Sequence, residues 1–400
     1  MKKVYKQMII LVVLLVGVSM GIFYLYQHKE KESLILKGKK EITISLHSHY
    51  QDEGVNISQA QVKSNVNTKK AGTYQVTYSY HNETLTRIVH VVDHQEVIMN
   101  LNGSENTYVK ENDPYIESSC HAIDTATGKN MTDIHIQGKV NTKISGDYKI
   151  TYSVKGTSGQ EYQKVRTVHV VRSEDFQGNK NGVPVLMYHW VYTSKKVPEK
   201  LDANWIKNTM LEQHLQYLTK NHYYFPSFQE LKAYVEGKIS LPQKSVILTF
   251  DDGRKNFLKE GIPLLEKYKV PATSFVIGCK NGKQKVKQYA SEYISYQSHS
   301  YNMHRGGGHI GHGGVISAMT QNEIFTDLKK NQEIVQNTEA FAYPYGDITP
   351  EGKKAVQEVQ TLCAFSTHYG KVKKGMDLME LPRIRVFGNG NVEAFISSIQ

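Results

Sequence analysis

Apolar positions along this chain of 400 residues follow three rhythms in succession. The first is unbroken: Met8 to Tyr26 (MIILVVLLVGVSMGIFYLY) carries no charge, and at about 1.5 Å per residue it can cross the hydrocarbon core of a bilayer. Lys2, Lys3 and Lys6 precede it, and Lys29 and Lys31 follow. This predicts an uncleaved single-pass anchor at 8–26, with 1–7 cytoplasmic and the rest of the chain outside the cell. Secretion after signal cleavage is the alternative. The second rhythm alternates. NTKKAGTYQVTYSY from Asn67 recurs as NTKISGDYKITYSV from Asn141, and TRIVHVVD from Thr86 recurs as RTVHVVR from Arg166. Tyr74, Val76 and Tyr78 alternate with polar residues, as do Tyr148, Ile150 and Tyr152, at the period of half-buried strands. Two small all-β sandwiches are therefore predicted at 39–94 and 95–172, after a linker at 27–38, and they read as a stalk.

The third rhythm begins at Val183, after a linker at 173–182, where short apolar runs alternate with helical patterns of ten or more residues. That alternation predicts a parallel α/β domain over 183–400. A strand ending at Phe250 precedes one helical face made of Phe257, Leu258, Ile262, Leu265 and Tyr268, and Ala272 to Ile277 reads as the next strand. Thr320 with Glu323 forms a capping-box signal ahead of a helix to about Asn337, and Thr349-Pro350 begins another.

Composition sharpens the setting without changing the fold. A hydrophobic content of 39% with 22% charged residues describes globular material. The net charge of +11 is spread along the chain rather than gathered into a patch, which points to an anionic wall or membrane surface and away from nucleic acid. Three scattered cysteines, Cys120, Cys279 and Cys363, suit neither a disulfide framework nor a zinc knuckle. An exported chain without disulfides suggests a Gram-positive bacterium.

Candidate chemistry gathers at the ends of predicted strands. Thr249-Phe250-Asp251-Asp252-Gly253 sets two carboxylates where a buried strand gives way to a turn, at the carboxyl end where parallel α/β folds bind ligands. A plain Asp-Gly turn is the competing reading. Adjacent side chains on an extended chain point opposite ways, so one carboxylate can ligate a metal while the other serves a separate task. His299 follows another predicted strand, and His304 lies five residues on. That offset puts the two about 140° apart on a helix and on opposite faces of a strand, so they converge only across a curved loop. Two imidazoles with one Asp leave a position for water, the arrangement of catalytic rather than structural zinc. Arg305 to Gly314, rich in Gly and His, reads as a flexible rim beside such a site.

TFDDG, SHSYNMH and YPYG together resemble the polysaccharide deacetylase (NodB-like) family over roughly 182–400. With the opening VLMYHWV and the five-residue histidine offset, the chain is most similar to the branch acting on extracellular poly-N-acetylglucosamine. The tandem modules, with their AGTYxVTY strand, resemble the Ig-like repeats of bacterial surface proteins. The resemblance implies a distorted (β/α) barrel with Asp251 as base and Asp252, His299 and His304 as ligands of Zn2+, or of Co2+ or Ni2+. It also implies His189 as general acid and the backbone N–H of Tyr345 as oxyanion donor. Two departures stand out. Ala342 occupies the place of an Arg that in many relatives orients the base, and Arg383 in LPRIRV is the candidate substitute, a surface salt bridge being its other reading. No late Leu-x-x-His segment follows Leu381, which leaves His189 as the acid, with His368 a weaker candidate.

The expectation is a membrane-anchored N-deacetylase acting on N-acetylglucosamine units of a cell-surface polysaccharide, peptidoglycan or poly-N-acetylglucosamine, with its stalk in the cell wall. An adhesin with an inactive deacetylase domain and an O-acetyl esterase on wall or plant polysaccharide are the alternatives.

Overall fold

A computed structural model describes residues 33–46, 50–92 and 95–400. The apolar segment 8–26 lies outside the described residues, and among those described no helix is long and apolar enough to cross a membrane. The chain divides into two compact units, Met1–His94 and Gln95–Gln400.

The first unit holds repeat 1. Its strands Gly72–Tyr80 and Glu83–Val92 form a hairpin flanked by Gln61–Ser64 on one side and by Glu41–Ser45, which runs parallel to Glu83–Val92, on the other. Val76, Tyr78, Val89 and Val91 face inward, as the alternation predicts, and pack on Leu34, Val55 and Ile57. Among the described residues this repeat has one sheet, so a sandwich of two is not what forms. The non-strand segments carrying Leu34, Val55 and Ile57 cover the apolar face instead.

Repeat 2, in the second unit, has two sheets. Asn106–Lys110, Glu161–Val171, Gly146–Lys155 and His135–Gln137 form one, and Val97–Leu101, Cys120–Asp124 and Lys129–Met131 the other. Met99, Ala122, Ile150, Tyr152 and Val168 from both sheets share one core. Both repeats bury an arginine at the same place in the recurring strand. Arg87 lies over the Tyr78 ring and pairs with Asp52, while Arg166 lies 5.8 Å from the Tyr152 ring centroid, and the Tyr152 hydroxyl donates to Glu117 (2.5 Å). Arg166 also donates to the carbonyls of Ser104 (2.6 Å) and Asn102 (2.9 Å).

Seven parallel strands of the second unit close into a barrel: β1 (Val185–Tyr188), β2 (Ile247–Phe250), β3 (Ala272–Val276), β4 (Ile294–Ser298), β5 (Ala340–Ala342), β6 (Cys363–Tyr369) and β7 (Leu381–Arg385), with β7 back beside β1. Helices fill the crossovers. The stretch read as one helix from Phe257 to Tyr268 is two, Lys255–Glu260 and Ile262–Tyr268, broken at Gly261 ahead of Pro263. The capping box at Thr320 and Glu323 forms and opens Gln321–Val335, and the Thr349 hydroxyl caps Pro350–Glu358.

Repeat 2 is seated on the amino ends of the barrel strands. Asn102 donates to Glu339 just before β5 (2.8 Å), Ser104 exchanges bonds with Phe225 (2.9 and 3.0 Å), Asn130 engages Gln336 (2.8 Å), and Lys164 pairs with Glu292 before β4 (2.6 Å). Gly103 has a left-handed φ of 77°, and a Cβ there would stand 2.8 Å from Ser227 N and 2.9 Å from Phe225 O, so only glycine permits this approach. The stretch expected as a linker is itself packed: Asn179 N–H donates to Leu241 O (2.8 Å) and Gln243 N–H to Gln177 O (2.9 Å).

Arg166 supports the loop that makes this contact, because the carbonyls it binds belong to Asn102 and Ser104. Arg166→Met strands two backbone carbonyls and the Tyr152–Glu117 pair, and we expect it to destabilise residues 95–400 by about 3 kcal/mol, read by urea unfolding.

Candidate active site

The carboxyl ends of β1, β2, β4, β5 and β7 converge on one mouth of the barrel. After β2 the chain turns sharply, with Asp252 at φ 70° and Gly253 at φ 54°. Asp tolerates this left-handed conformation better than most residues. The turn sends the two carboxylates to different partners. Asp251 is 2% exposed, and both its oxygens accept from the Arg383 guanidinium at 2.8 Å in a bidentate fork. Arg383, 0% exposed on β7, also donates to the Ser366 carbonyl (3.0 Å) and the Thr249 hydroxyl (3.2 Å). Burial alone would raise the Asp251 carboxyl, but the Arg383 charge, then the nearby His299 and the Arg383 hydrogen bonds, hold it well below the usual carboxylate range. Asp251 is thus ionised at neutral pH.

Asp252 faces the histidines. Its Oδ1 lies 3.7 Å from His299 Nε2 and 3.4 Å from His304 Nε2. The curved loop that the five-residue offset requires is built by backbone donation to a side chain: the N–H groups of Tyr301 and Asn302 donate to Asp327 (2.7 and 2.8 Å) on the helix Gln321–Val335, and Met303 N–H to the Ser300 hydroxyl (3.1 Å). His299 Nδ1 donates to the Ala342 carbonyl (2.7 Å), a bond that requires the proton on Nδ1 and frees the Nε2 lone pair. Burial, then the neighbouring His299, lowers the His304 pKa to about 4, which keeps the ring neutral at pH 7. Ligand atoms of Asp252, His299 and His304 all lie within 4.8 Å of one another. Donors about 2.0–2.1 Å from a tetrahedral zinc stand about 3.4 Å apart, so these three fit a divalent ion of that kind.

The remaining candidates surround this cluster. His189, half-buried, leaves the end of β1, where burial lowers its pKa while Asp251 and Asp252 act in the opposite direction. Tyr345 adopts φ 62° in the turn after β5, with its ring 4.5 Å from that of His304. His368 is 68% exposed beside Glu380, remote in environment from the buried pair.

The glycine-rich loop is pinned rather than free. The buried Asp347 carboxylate accepts from His312 N–H (2.8 Å) and Gly314 N–H (2.7 Å), and Val315 N–H closes the hairpin on Arg305 O (2.9 Å). A Cβ on Gly311 would strike Asp347, so the glycines serve close packing. His309 and His312 point to solvent and stay apart from the Asp252 cluster. Sequence reading also passed over Trp190, whose indole N–H donates to Asp252 Oδ2 (2.7 Å). Only its adjacency to His189 marked it.

Residues 238–362 match the family described as Polysaccharide deacetylase, and 34–91 and 99–170 match Bacterial surface protein, Ig-like domain. YxkH of Bacillus subtilis, placed by name among polysaccharide deacetylases, is 27% identical over 228 residues, covering 54% of this chain and 76% of its own. The poly-beta-1,6-N-acetyl-D-glucosamine N-deacetylase of Staphylococcus epidermidis is 28% identical over 189 residues, covering 43% of this chain and 64% of its own. Among solved structures, the Streptococcus pyogenes deacetylase PplD in complex with acetate aligns with 55% of this chain and 98% of its own at 24% identity and a TM-score of 0.48.

The Asp251–Arg383 pair makes a prediction independent of activity. A carboxyl held low when folded adds stability above its unfolded pKa of about 3.9, and that stability is lost as pH falls towards the folded value. Arg383→Gln should therefore cost about 3–5 kcal/mol in urea unfolding at pH 7, with the gap from wild type narrowing below about pH 4.

Proposed function

This chain carries a polysaccharide deacetylase domain behind two Ig-like bacterial-surface domains, and we propose that it is a metal-dependent enzyme that hydrolyses N-acetyl groups from N-acetylglucosamine units of a cell-surface polysaccharide. The observation that carries this reading is the convergence of Asp252, His299 and His304 beside an Asp251 held ionised by Arg383. A divalent ion bound by those three residues, Zn2+ or else Co2+ or Ni2+, would acidify water and polarise the acetamide carbonyl.

In this mechanism Asp251 accepts a proton from the attacking water, and the Arg383 fork fixes its orientation. Its low proton affinity keeps it in the basic form at neutral pH. His189 donates a proton to the departing nitrogen, so that the sugar leaves as an amine and the acyl group as acetate. Burial makes a proton on that imidazole readily surrendered, and Asp251 and Asp252 help to retain it until needed. The backbone N–H of Tyr345, next to His304, serves the oxyanion. Peptidoglycan and poly-N-acetylglucosamine carry the required acetamide, and the Staphylococcus epidermidis relative supports the second by its name. The Ig-like domains support a cell-surface location, with residues 8–26 as anchor and repeat 1 as spacer.

Residues 95–400, a compact unit that includes repeat 2, should release acetate from an acetylated glucosamine polymer or oligomer when zinc or cobalt is supplied. Release from none of them overturns the reading, and release only from O-acetylated sugars would make the enzyme an esterase. Asp251→Asn should lose about 10² to 10⁴ in turnover and keep its metal, whereas Asp252→Asn should lose the metal itself. Equal metal content by elemental analysis in both variants would refute this division of roles.

A further inference from the structure

We infer that Trp190 is a positioning residue for metal binding: its indole N–H fixes one oxygen of Asp252 so that the other faces His299 and His304. The inference rests on the reading that these three side chains hold the ion. Trp190 Nε1 stands 2.7 Å from Asp252 Oδ2, while Oδ1 of the same carboxylate lies 3.4 and 3.7 Å from the two imidazoles. The two oxygens are therefore divided between a donor and a ligand site. An unrestrained carboxylate turns about its terminal bond and offers either oxygen or both. A charge-assisted N–H bond to one oxygen removes that freedom before the ion arrives.

The indole itself is held on three sides. Its backbone belongs to Trp190–Tyr192, which pairs in parallel with Trp205–Lys207, and Trp190 N–H donates to Asn204 O (3.0 Å). The Trp205 ring meets it edge to face at 5.0 Å, and the Arg254 guanidinium lies 3.7 Å over its centroid. Arg254 comes from the same turn as Asp252, and its Nε is 3.7 Å from Oδ2, so the cation that covers the indole also attracts the oxygen the indole holds. His189, the residue before Trp190, feels the charges of both Asp251 and Asp252.

Donors of this kind, bonded to a metal ligand, are worth about 10–100-fold in metal affinity. Trp190→Phe keeps an aromatic face for Arg254 and removes the N–H together with part of the ring area, whose packing contribution Trp205→Phe controls for. Trp205→Phe disturbs the packing around the indole and leaves the N–H in place. The full chain, stripped with a chelator, is titrated with Zn2+ against a competing chromophoric chelator, and the thermal transition of the metal-free protein is recorded in parallel. We expect Trp190→Phe to raise the Zn2+ dissociation constant about 10–100-fold with the metal-free transition unmoved, and Trp205→Phe to bind as wild type. Wild-type affinity in Trp190→Phe overturns the inference, and so does equal weakening in both variants, which would assign the effect to packing. A wild-type chain that binds no Zn2+ removes the metal reading itself, and the inference falls with it.

Discussion

Asp251 and Arg383 form a buried ion pair, and the mouth of the barrel is arranged around it. Arg383 comes from β7 and Asp251 from the end of β2, strands that flank β1 on either side. The same guanidinium reaches the Thr249 hydroxyl, which donates to the Leu186 carbonyl of β1 (2.7 Å). One polar network therefore crosses the three strands where the barrel closes. Two charges withdrawn from water are costly unless their geometry is close to ideal, and the bidentate fork supplies that geometry. Closure of the barrel and ionisation of Asp251 are consequently linked: a β7 displaced from β1 would leave that buried carboxylate without its guanidinium partner.

The candidate residues that converge, Asp252, His299 and His304, were legible because they sit in short motifs at strand ends. TFDDG and SHSYNMH pointed to the cluster, the strand–helix rhythm to a parallel α/β domain, and the family resemblance to a barrel. What stayed hidden was pairing over long separations. Arg383 lies 132 positions from Asp251, and neither its burial nor its fork follows from LPRIRV, which fits a surface ion pair equally well. The curvature that brings His304 back to His299 depends on Asp327, an acidic residue on an amphipathic helix with nothing in its sequence context to distinguish it from a solvated charge. The glycine-rich segment invited a reading of mobility because glycine lacks side chains to pack. Its order comes from Asp347, which accepts its backbone N–H groups from beyond the turn.

The repeats show the same limit. Alternating tyrosines and valines marked their strands correctly, yet the buried arginine in each copy was invisible as such, since a charged residue in an alternating strand is ordinarily assigned to the solvent face. Arg87 and Arg166 are buried because each caps a tyrosine and collects carbonyls from neighbouring loops. In the second copy those loops are also the ones that meet the barrel, so the feature that stabilises the module also shapes its contact surface.

That contact has an orientation. Repeat 2 occupies the amino ends of the barrel strands, and the Asp–His cluster occupies the carboxyl ends. Within this unit repeat 2 and the Asp–His cluster are at opposite poles of the barrel. Within residues 95–400, changes in the loops by which repeat 2 meets the barrel fall at the pole away from the Asp–His cluster. Such a layout separates two evolutionary variables, how the repeat is joined to the barrel and what the opposite mouth accepts, and lets each change without reopening the other.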